Sequence, residues 1–410
     1  MSTTAQASWI ERARAAFPAL SGDVAYLDGP GGSQVPESVM AAMVACLRDA
    51  SANLDGAFAS SAAAGEIVAA GRLAAADLVC GSPGEVAFGP NMSTLNFQFA
   101  HAVARTLDPG DEIVTTVLDH DANVSPWLQV AEDHGLYVRT VPVTDPDLAI
   151  DLRALEASLS PRTRIVAFTL ASNAVGTVTA ARRIADLAHD AGALAWADAV
   201  HFAPHRRIDV RELGVDVLLC SPYKFFGPHL GLAWARRQLL ESWPADRVRP
   251  SGETPAGHRF ELGTQSHEAI AGLAAAVEYL SSLGAGLDRR SRLDSAFARI
   301  RSHEEALARR FLLSVTGIPG VTVHGIADSE RTGERTPTFC VTIAGRDPRD
   351  VAERLARRGV NVWDGNYYAP ELMTHLGLEG RGGAVRIGFL HYTTPDEVDR
   401  ALTELRIAAG

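Results

Sequence analysis

Ala193-Leu194-Ala195-Trp196-Ala197-Asp198 and, further along, Val215-Asp216-Val217-Leu218-Leu219-Cys220-Ser221-Pro222-Tyr223-Lys224 are the stretches whose reading decides the fold. The first is a short apolar run of strand length followed by Asp198, and in the second Lys224 lies just beyond such a run. Outward from them, between about Gly84 and Trp234, short apolar β-branched runs alternate with segments of helical period. The candidate strands are Glu85–Phe88, Glu112–Thr116, Tyr137–Val141, Arg164–Thr169, Ala193–Ala197, Val215–Leu219 and Gly231–Ala235. Leu95–Arg105, Asn123–His134, Leu152–Leu159 and Ala181–Ala191 are long enough to be crossover helices between them. Alternation of this kind predicts βαβ units and an α/β architecture around a mainly parallel seven-stranded sheet flanked by helices.

Beyond about Pro250 the texture changes. Two long helical runs, Glu268–Leu283 and Arg290–Val315, lead to strand-like pieces at Val321–His324, Thr338–Ile343 and Val385–Phe389, with helices near Pro348–Arg358 and Pro395–Ala409. The pattern predicts a smaller α+β C-terminal domain over 286–410, a large domain over 26–285 and an N-terminal segment, 1–25, packing on the small domain. No low-complexity linker separates them, so a shared site in the cleft between domains is expected.

The 410 residues, 47% hydrophobic and 21% charged, suit a folded globular chain with a substantial core. A formal net charge of −11 argues against a general nucleic-acid binder. Cys46, Cys80, Cys220 and Cys340 lie far apart and without histidines at ligand spacing, so neither a metal site nor a disulfide framework is expected, and the four read as buried free thiols. No signal-peptide core or bilayer-length apolar run is found, which makes a cytoplasmic location the expectation and membrane association unexpected.

Ligands of such sheets bind outside the carboxyl ends of the strands. After Glu85–Phe88 comes Gly89-Pro90-Asn91-Met92-Ser93-Thr94, a helix-opening turn that offers N–H groups and hydroxyls to a phosphate. His120 follows the second strand and Asn173 the fourth, while Asp198 and His201 follow the fifth, and Ser221 and Lys224 the sixth. A carboxylate ending one central strand and an amine just past the next match the needs of pyridoxal 5'-phosphate. Its aldehyde takes a lysine as a Schiff base, its pyridine nitrogen keeps its proton beside an acid, and its phosphate takes N–H and hydroxyl donors.

Together these motifs resemble the fold-type-I pyridoxal-phosphate enzymes (transferase fold type I), and in particular the class V aminotransferase family that includes the cysteine desulfurases. The resemblance runs from Tyr26-Leu27-Asp28 to the C-terminus. It is carried by Asp119-His120-x-Ala122-Asn123-x-x-Pro126-Trp127, Ser172-Asn173-x-x-Gly176-Thr177, Ser221-x-x-Lys224-x-x-Gly227-Pro228, Arg259-Phe260-Glu261-x-Gly263-Thr264 and Val385-Arg386. It implies that Lys224, His120 and Asp198 are catalytic: Lys224 binds the cofactor, His120 stacks on its ring and Asp198 pairs with its nitrogen. His201 would sit near the ring hydroxyl, and Asn91, Met92, Ser93 and Ser221 would hold the phosphate, with Thr264 added from the second subunit of a homodimer. Asn173, placed against both cofactor and substrate, and Arg386 would meet an amino-acid substrate.

One departure bears on activity. The loop that holds the desulfurases' persulfide cysteine corresponds here to Val362-Trp363-Asp364-Gly365-Asn366-Tyr367-Tyr368-Ala369-Pro370, with tyrosine at the cysteine position. Tyr223 replaces the histidine before the lysine, and Asp121 follows His120. The expectation is an enzyme of cysteine-desulfurase type that forms no persulfide: a C–S lyase performing β-elimination on cysteine or an S-substituted cysteine conjugate, in secondary metabolism, with Tyr367 and Tyr368 lining the substrate side chain. The alternatives are a class V aminotransferase, an amino-acid epimerase, a decarboxylating or oxidatively deaminating enzyme, and a non-catalytic partner protein of the same fold.

Overall fold

The computed structural model describes residues 3–410. Its central sheet has seven strands: β1 Val86–Gly89, β2 Glu112–Thr116, β3 Tyr137–Val141, β4 Thr163–Thr169, β5 Leu194–Asp198, β6 Val217–Cys220 and β7 Gly231–Ala235. They lie in the order β1-β7-β6-β5-β4-β2-β3. Every neighbouring pair is parallel except those of β7, which runs against both β1 and β6. The reason is chain length. Residues 221–230 between β6 and β7 are too few for a crossover helix, so the strand must turn straight back.

Alternate side chains of these strands enter two separate cores. Phe88, Val114, Phe168 and Leu218 face one layer of helices, while Ala87, Ile113, Trp196 and Leu219 face the other. Burial on both faces is what makes such strands read as continuous apolar runs rather than alternating ones. Only the edge strand β3 has an exposed pattern.

The C-terminal part carries a second sheet, antiparallel throughout, of β8 Val321–His324, β9 Thr338–Ile343, β10 Trp363–Gly365 and β11 Ala384–Gly388 in the order β8-β9-β11-β10. Helices Arg289–Val315, Pro348–Ala356 and Pro395–Ala409 accompany it, and Phe311, Phe339, Phe389 and Leu405 form its core. Near the N-terminus, Ala25–Tyr26 pairs in parallel with Val360–Asn361. Arg14 donates from Nη1 to the Tyr392 carbonyl (2.7 Å) and to Glu397 (3.0 Å).

The α/β architecture and the smaller α+β unit are as expected from the sequence, with element ends shifted by up to three residues, as at the helix expected from Leu95 that begins at Met92. Elements that were not expected include helices Thr3–Ala15, Glu37–Asp49, Ala59–Val79 and Pro370–His375, and strand β10. The helix over 59–79 is so rich in alanine and so evenly apolar that it shows no stripe. Strand β10 exists because it pairs with β11, a partner distant in sequence. Of the four thiols, Cys46, Cys220 and Cys340 are buried, whereas Cys80 is half-buried at a helix C-cap with the Arg207 guanidinium 2.9 Å from its sulfur.

Candidate active site

Because β1, β2, β4, β5 and β6 all run the same way, their carboxyl ends meet at one edge of the sheet. There, roofed by the loop after β10, lies a cavity of about 820 Å³. Met92, Ser93, His120, Asn173, Asp198, His201, Ser221, Lys224, Tyr367, Tyr368 and Arg386 all line it, although they come from distant parts of the chain.

Lys224 ends the short 3-10 turn Pro222–Lys224 just past β6. Its Nζ donates to the Pro30 carbonyl at 2.6 Å and lies 4.8 Å from the centre of the Tyr223 ring. Burial, and secondarily the positive Arg386 guanidinium, lower its pKa to about 7, against a smaller opposing pull from Asp198. At neutral pH a large fraction of this amine is therefore uncharged and nucleophilic.

Asp198, 3% exposed, ends β5 and accepts the Val200 N–H at 2.7 Å. Burial raises its pKa to about 6, so a cationic partner has a large free-energy gap to recover. The His120 ring accepts the Ala122 N–H on Nδ1 at 3.0 Å, which leaves its proton on Nε2. Burial first, then the charges of Lys224 and Arg386, depress its pKa to about 4, and the ring is neutral. One neighbour of that ring is Tyr368, stacked at 5.5 Å and 25°.

At the other wall, Arg386 leaves β11 and donates from Nη1 to the Asn173 carbonyl at 3.0 Å. Its guanidinium lies over the Tyr367 ring at 4.5 Å, and its Nε has no partner. The Asn173 carboxamide donates to the Tyr367 carbonyl at 2.9 Å while its own oxygen is unpartnered. A buried N–H donor and a buried carbonyl acceptor thus stand unsatisfied in one cavity, a costly arrangement unless a polar ligand completes it.

His201 is buried, with Nε2 3.1 Å from Thr336 Oγ1 and 3.0 Å from Thr338 Oγ1. The Ser221 hydroxyl accepts the Met92 N–H at 3.3 Å and so joins the end of β6 to the start of helix Met92–Ala104. Asn91 serves the helix itself. Its carboxamide oxygen caps that helix by accepting the Thr94 N–H at 2.8 Å, and the residue lies outside the cavity lining. Thr264 is also outside it, in a separate cleft with Cys46, Asn53 and His267.

Sequence reasoning passed over the support behind His120. Asp119 accepts from Thr116 Oγ1 at 2.5 Å and from the Asn123 carboxamide at 2.8 Å. Asn96 donates to Asn123 (3.2 Å) and to the Ala122 carbonyl (2.8 Å), and receives the Trp196 indole N–H at 2.9 Å. Asp119 and Asn123 stood within a recognised motif, but nothing local tied Asn96 or Trp196 to it. Pro30 and Trp363, both in the cavity wall, were likewise missed as site residues.

A sequence profile of the family described as aminotransferase class-V matches residues 25–401. A cysteine desulfurase of Pectobacterium atrosepticum is 31% identical over 417 residues, covering 97% of this chain and 97% of its own. An aminotransferase-like protein of Gibberella zeae is 30% identical, covering 97% of this chain and 98% of its own. Among solved structures, that of a cysteine desulfurase from Escherichia coli superposes with a TM-score of 0.83 at 26% identity, covering 97% of this chain and 98% of that one.

Proposed function

Since this chain belongs to the class-V aminotransferase family, we propose that it is a pyridoxal-phosphate enzyme that eliminates a sulfur substituent from the β-carbon of cysteine or an S-substituted cysteine, without forming a protein persulfide. The residues present fit the cofactor. A half-neutral amine, a buried acid in want of a cation, a neutral imidazole and a helix start with Ser93 and Ser221 beside it share one cavity. Lys224 would hold the aldehyde carbon, Asp198 the ring nitrogen, His201 the ring hydroxyl side, and Met92, Ser93 and Ser221 the phosphate. When bound, the cofactor supplies an electron sink for negative charge that develops at the substrate α-carbon.

The chain's own groups do the rest. Arg386 meets the α-carboxylate, with its free Nε–H as one donor, and the Tyr367 ring beneath the guanidinium fixes its plane. The Asn173 oxygen accepts a donor from the same ligand. Lys224 takes the α-proton onto Nζ as general base, a role suited to an amine with a pKa about 7. Neutral His120 offers its Nε2 proton without adding charge to a site that already holds two cations.

The observation that carries the absence of a persulfide is that no thiol reaches the cavity. All four cysteines lie outside its lining, and burial pushes the Cys220 and Cys340 thiols upward, away from the thiolate a sulfur acceptor must be. Elimination from an S-substituted cysteine consumes one water and yields thiol, pyruvate and ammonium. Incubation of the cofactor-loaded enzyme with S-methylcysteine is expected to release all three in equal amounts, and Lys224→Ala to abolish them. Absence of all three, or a keto acid that keeps its sulfur, overturns the reading; the latter result points to transamination.

A homodimer is part of the proposal, with Thr264 facing the partner's cavity. Two features support it: Thr264 stands away from the cavity of its own chain, and its cleft adjoins Leu47, which with Val44 and Phe58 exposes apolar surface.

A further inference from the structure

Lys224, Asp198 and Arg386 are taken up by cofactor and amino-acid backbone in the reading above; beside them, with Trp363 in register with Arg386 across β10 and β11, stands a wall of different chemistry. Trp363 and Tyr368, large aromatic side chains that remain 48% and 72% exposed, line the cavity together with Phe97. Exposed aromatics gathered at the mouth of a pocket are unusual unless something covers them.

Both side chains are held in place before any ligand arrives. The Trp363 indole lies so close to Gly31 that a Cβ there would stand 2.0 Å from its Nε1, which explains why glycine occupies that position. Tyr368 takes a left-handed backbone (φ +56°), as does Tyr367 before it (φ +58°), a conformation that costs about 1–2 kcal/mol per non-glycine residue. Asn366 Oδ1 accepts the Tyr368 N–H at 3.1 Å, the Tyr368 carbonyl accepts the Asp121 N–H at 2.7 Å, and the ring stacks on His120. Strain kept in place by three separate contacts points to a surface that is used.

The charges around this wall are negative. Asp121 accepts a hydrogen bond from Ser125 (2.7 Å) and has no basic partner at that contact, and Asp364 is linked to Arg349 at 3.3 Å. The two cations of the cavity, Lys224 and Arg386, are committed to the cofactor and to the α-carboxylate in the proposed reading. An anionic side chain would therefore meet repulsion here, and an apolar ring would meet aromatic faces and offset stacking.

From this arrangement, and resting on the reading of the site as one that takes amino acids, we infer that the enzyme selects substrates with a bulky uncharged aromatic group on the β-substituent, seated between Trp363 and Tyr368. S-benzylcysteine is the simplest such molecule. The cofactor-loaded enzyme, titrated with S-benzylcysteine, S-methylcysteine, S-carboxymethylcysteine and S-aminoethylcysteine while the visible absorbance of the bound cofactor is followed, reads affinity for each. Burial of the ring should make S-benzylcysteine roughly 10- to 100-fold tighter than S-methylcysteine. The carboxymethyl compound should be the weakest.

Trp363→Ala and Tyr368→Ala should each cut the benzyl-over-methyl ratio by about threefold or more, with the bound-cofactor absorbance as the check on folding. Equal affinity for the benzyl and methyl compounds, or tightest binding of the aminoethyl or carboxymethyl compound, overturns the inference. The titration reports occupancy rather than bond breakage. Preferential binding of S-benzylcysteine with no thiol released would overturn the lyase reading and support this one; thiol release with no preference would do the reverse.

Discussion

At the scale of single residues, the site is governed by what burial does to charge. Desolvation, aided by Arg386, brings Lys224 to about 7, so the fraction of free amine rises about tenfold between pH 6 and pH 8. The rate at which cofactor-free protein captures pyridoxal phosphate, followed by absorbance, should climb by about that factor over the range and vanish in Lys224→Ala; a flat profile would count against Lys224 as the anchor. Asp198 moves the other way, from the ordinary carboxylate value up to about 6. A raised carboxylate pKa means that the folded form binds more protons than the unfolded one between about pH 4 and pH 6, so stability falls as pH rises through that window. Asp198→Asn should therefore stabilise the cofactor-free protein at pH 7.5 by on the order of 2–3 kcal/mol and leave it nearly unchanged at pH 4. Urea denaturation at the two pH values checks this, and a less stable variant at pH 7.5 would refute it.

At the scale of elements, strand ends deliver the chemistry and a buried polar network fixes one of the loops. Trp196 in β5 and Asn96 in helix Met92–Ala104 tie the His120 loop to the sheet through Asn123 and Asp119. Asn96→Ala would strand the Trp196 indole N–H and an Asn123 oxygen away from water. Each buried group left so costs about 1–3 kcal/mol. The variant should lose about 2 kcal/mol or more in urea and release its cofactor faster, while Asn96→Ala with unchanged stability would show that water replaces the carboxamide there. The loop after β10 is the second such element. It crosses from the small sheet to the large one through Asn173–Tyr367 and Asp121–Tyr368, and so closes the roof of the cavity.

At the scale of the whole molecule, the cavity is built from both sheets: Lys224 and Asp198 belong to one and Arg386 to the other. Among the described residues, no helix is long and apolar enough to cross a membrane, and no cluster of three metal-ligating side chains is found. Val44, Leu47 and Phe58 expose apolar surface that the proposed homodimer would cover. Sedimentation of the cofactor-loaded protein should report a dimer, and Val44→Glu with Leu47→Glu should yield monomer with reduced cofactor occupancy. A wild-type monomer with full occupancy would contradict the dimer and the part given to Thr264.

The alternation of β-runs and helical stretches determined the fold class, and the residues that end those runs pointed to the edge of the sheet where the cavity lies, because both are local consequences of side-chain period and of which polar groups a strand can bury. Lys224, Asp198 and His120, which follow strand ends and line the cavity, were legible for that reason, whereas Arg386, in the middle of β11, came from the family resemblance alone. The tertiary structure alone decided the rest. Asn91 spends its carboxamide on a helix cap, Asn96 and Trp196 support His120 from other elements, and β10 forms only against β11. Each of these depends on partners that lie far away along the chain, and hydrogen bonds between such partners leave no periodic trace in a sequence. The same holds for the Trp363–Tyr368 wall. Its aromatics are plain in the sequence, but their pre-set geometry comes from Gly31, Asp121 and His120, which only folding brings beside them.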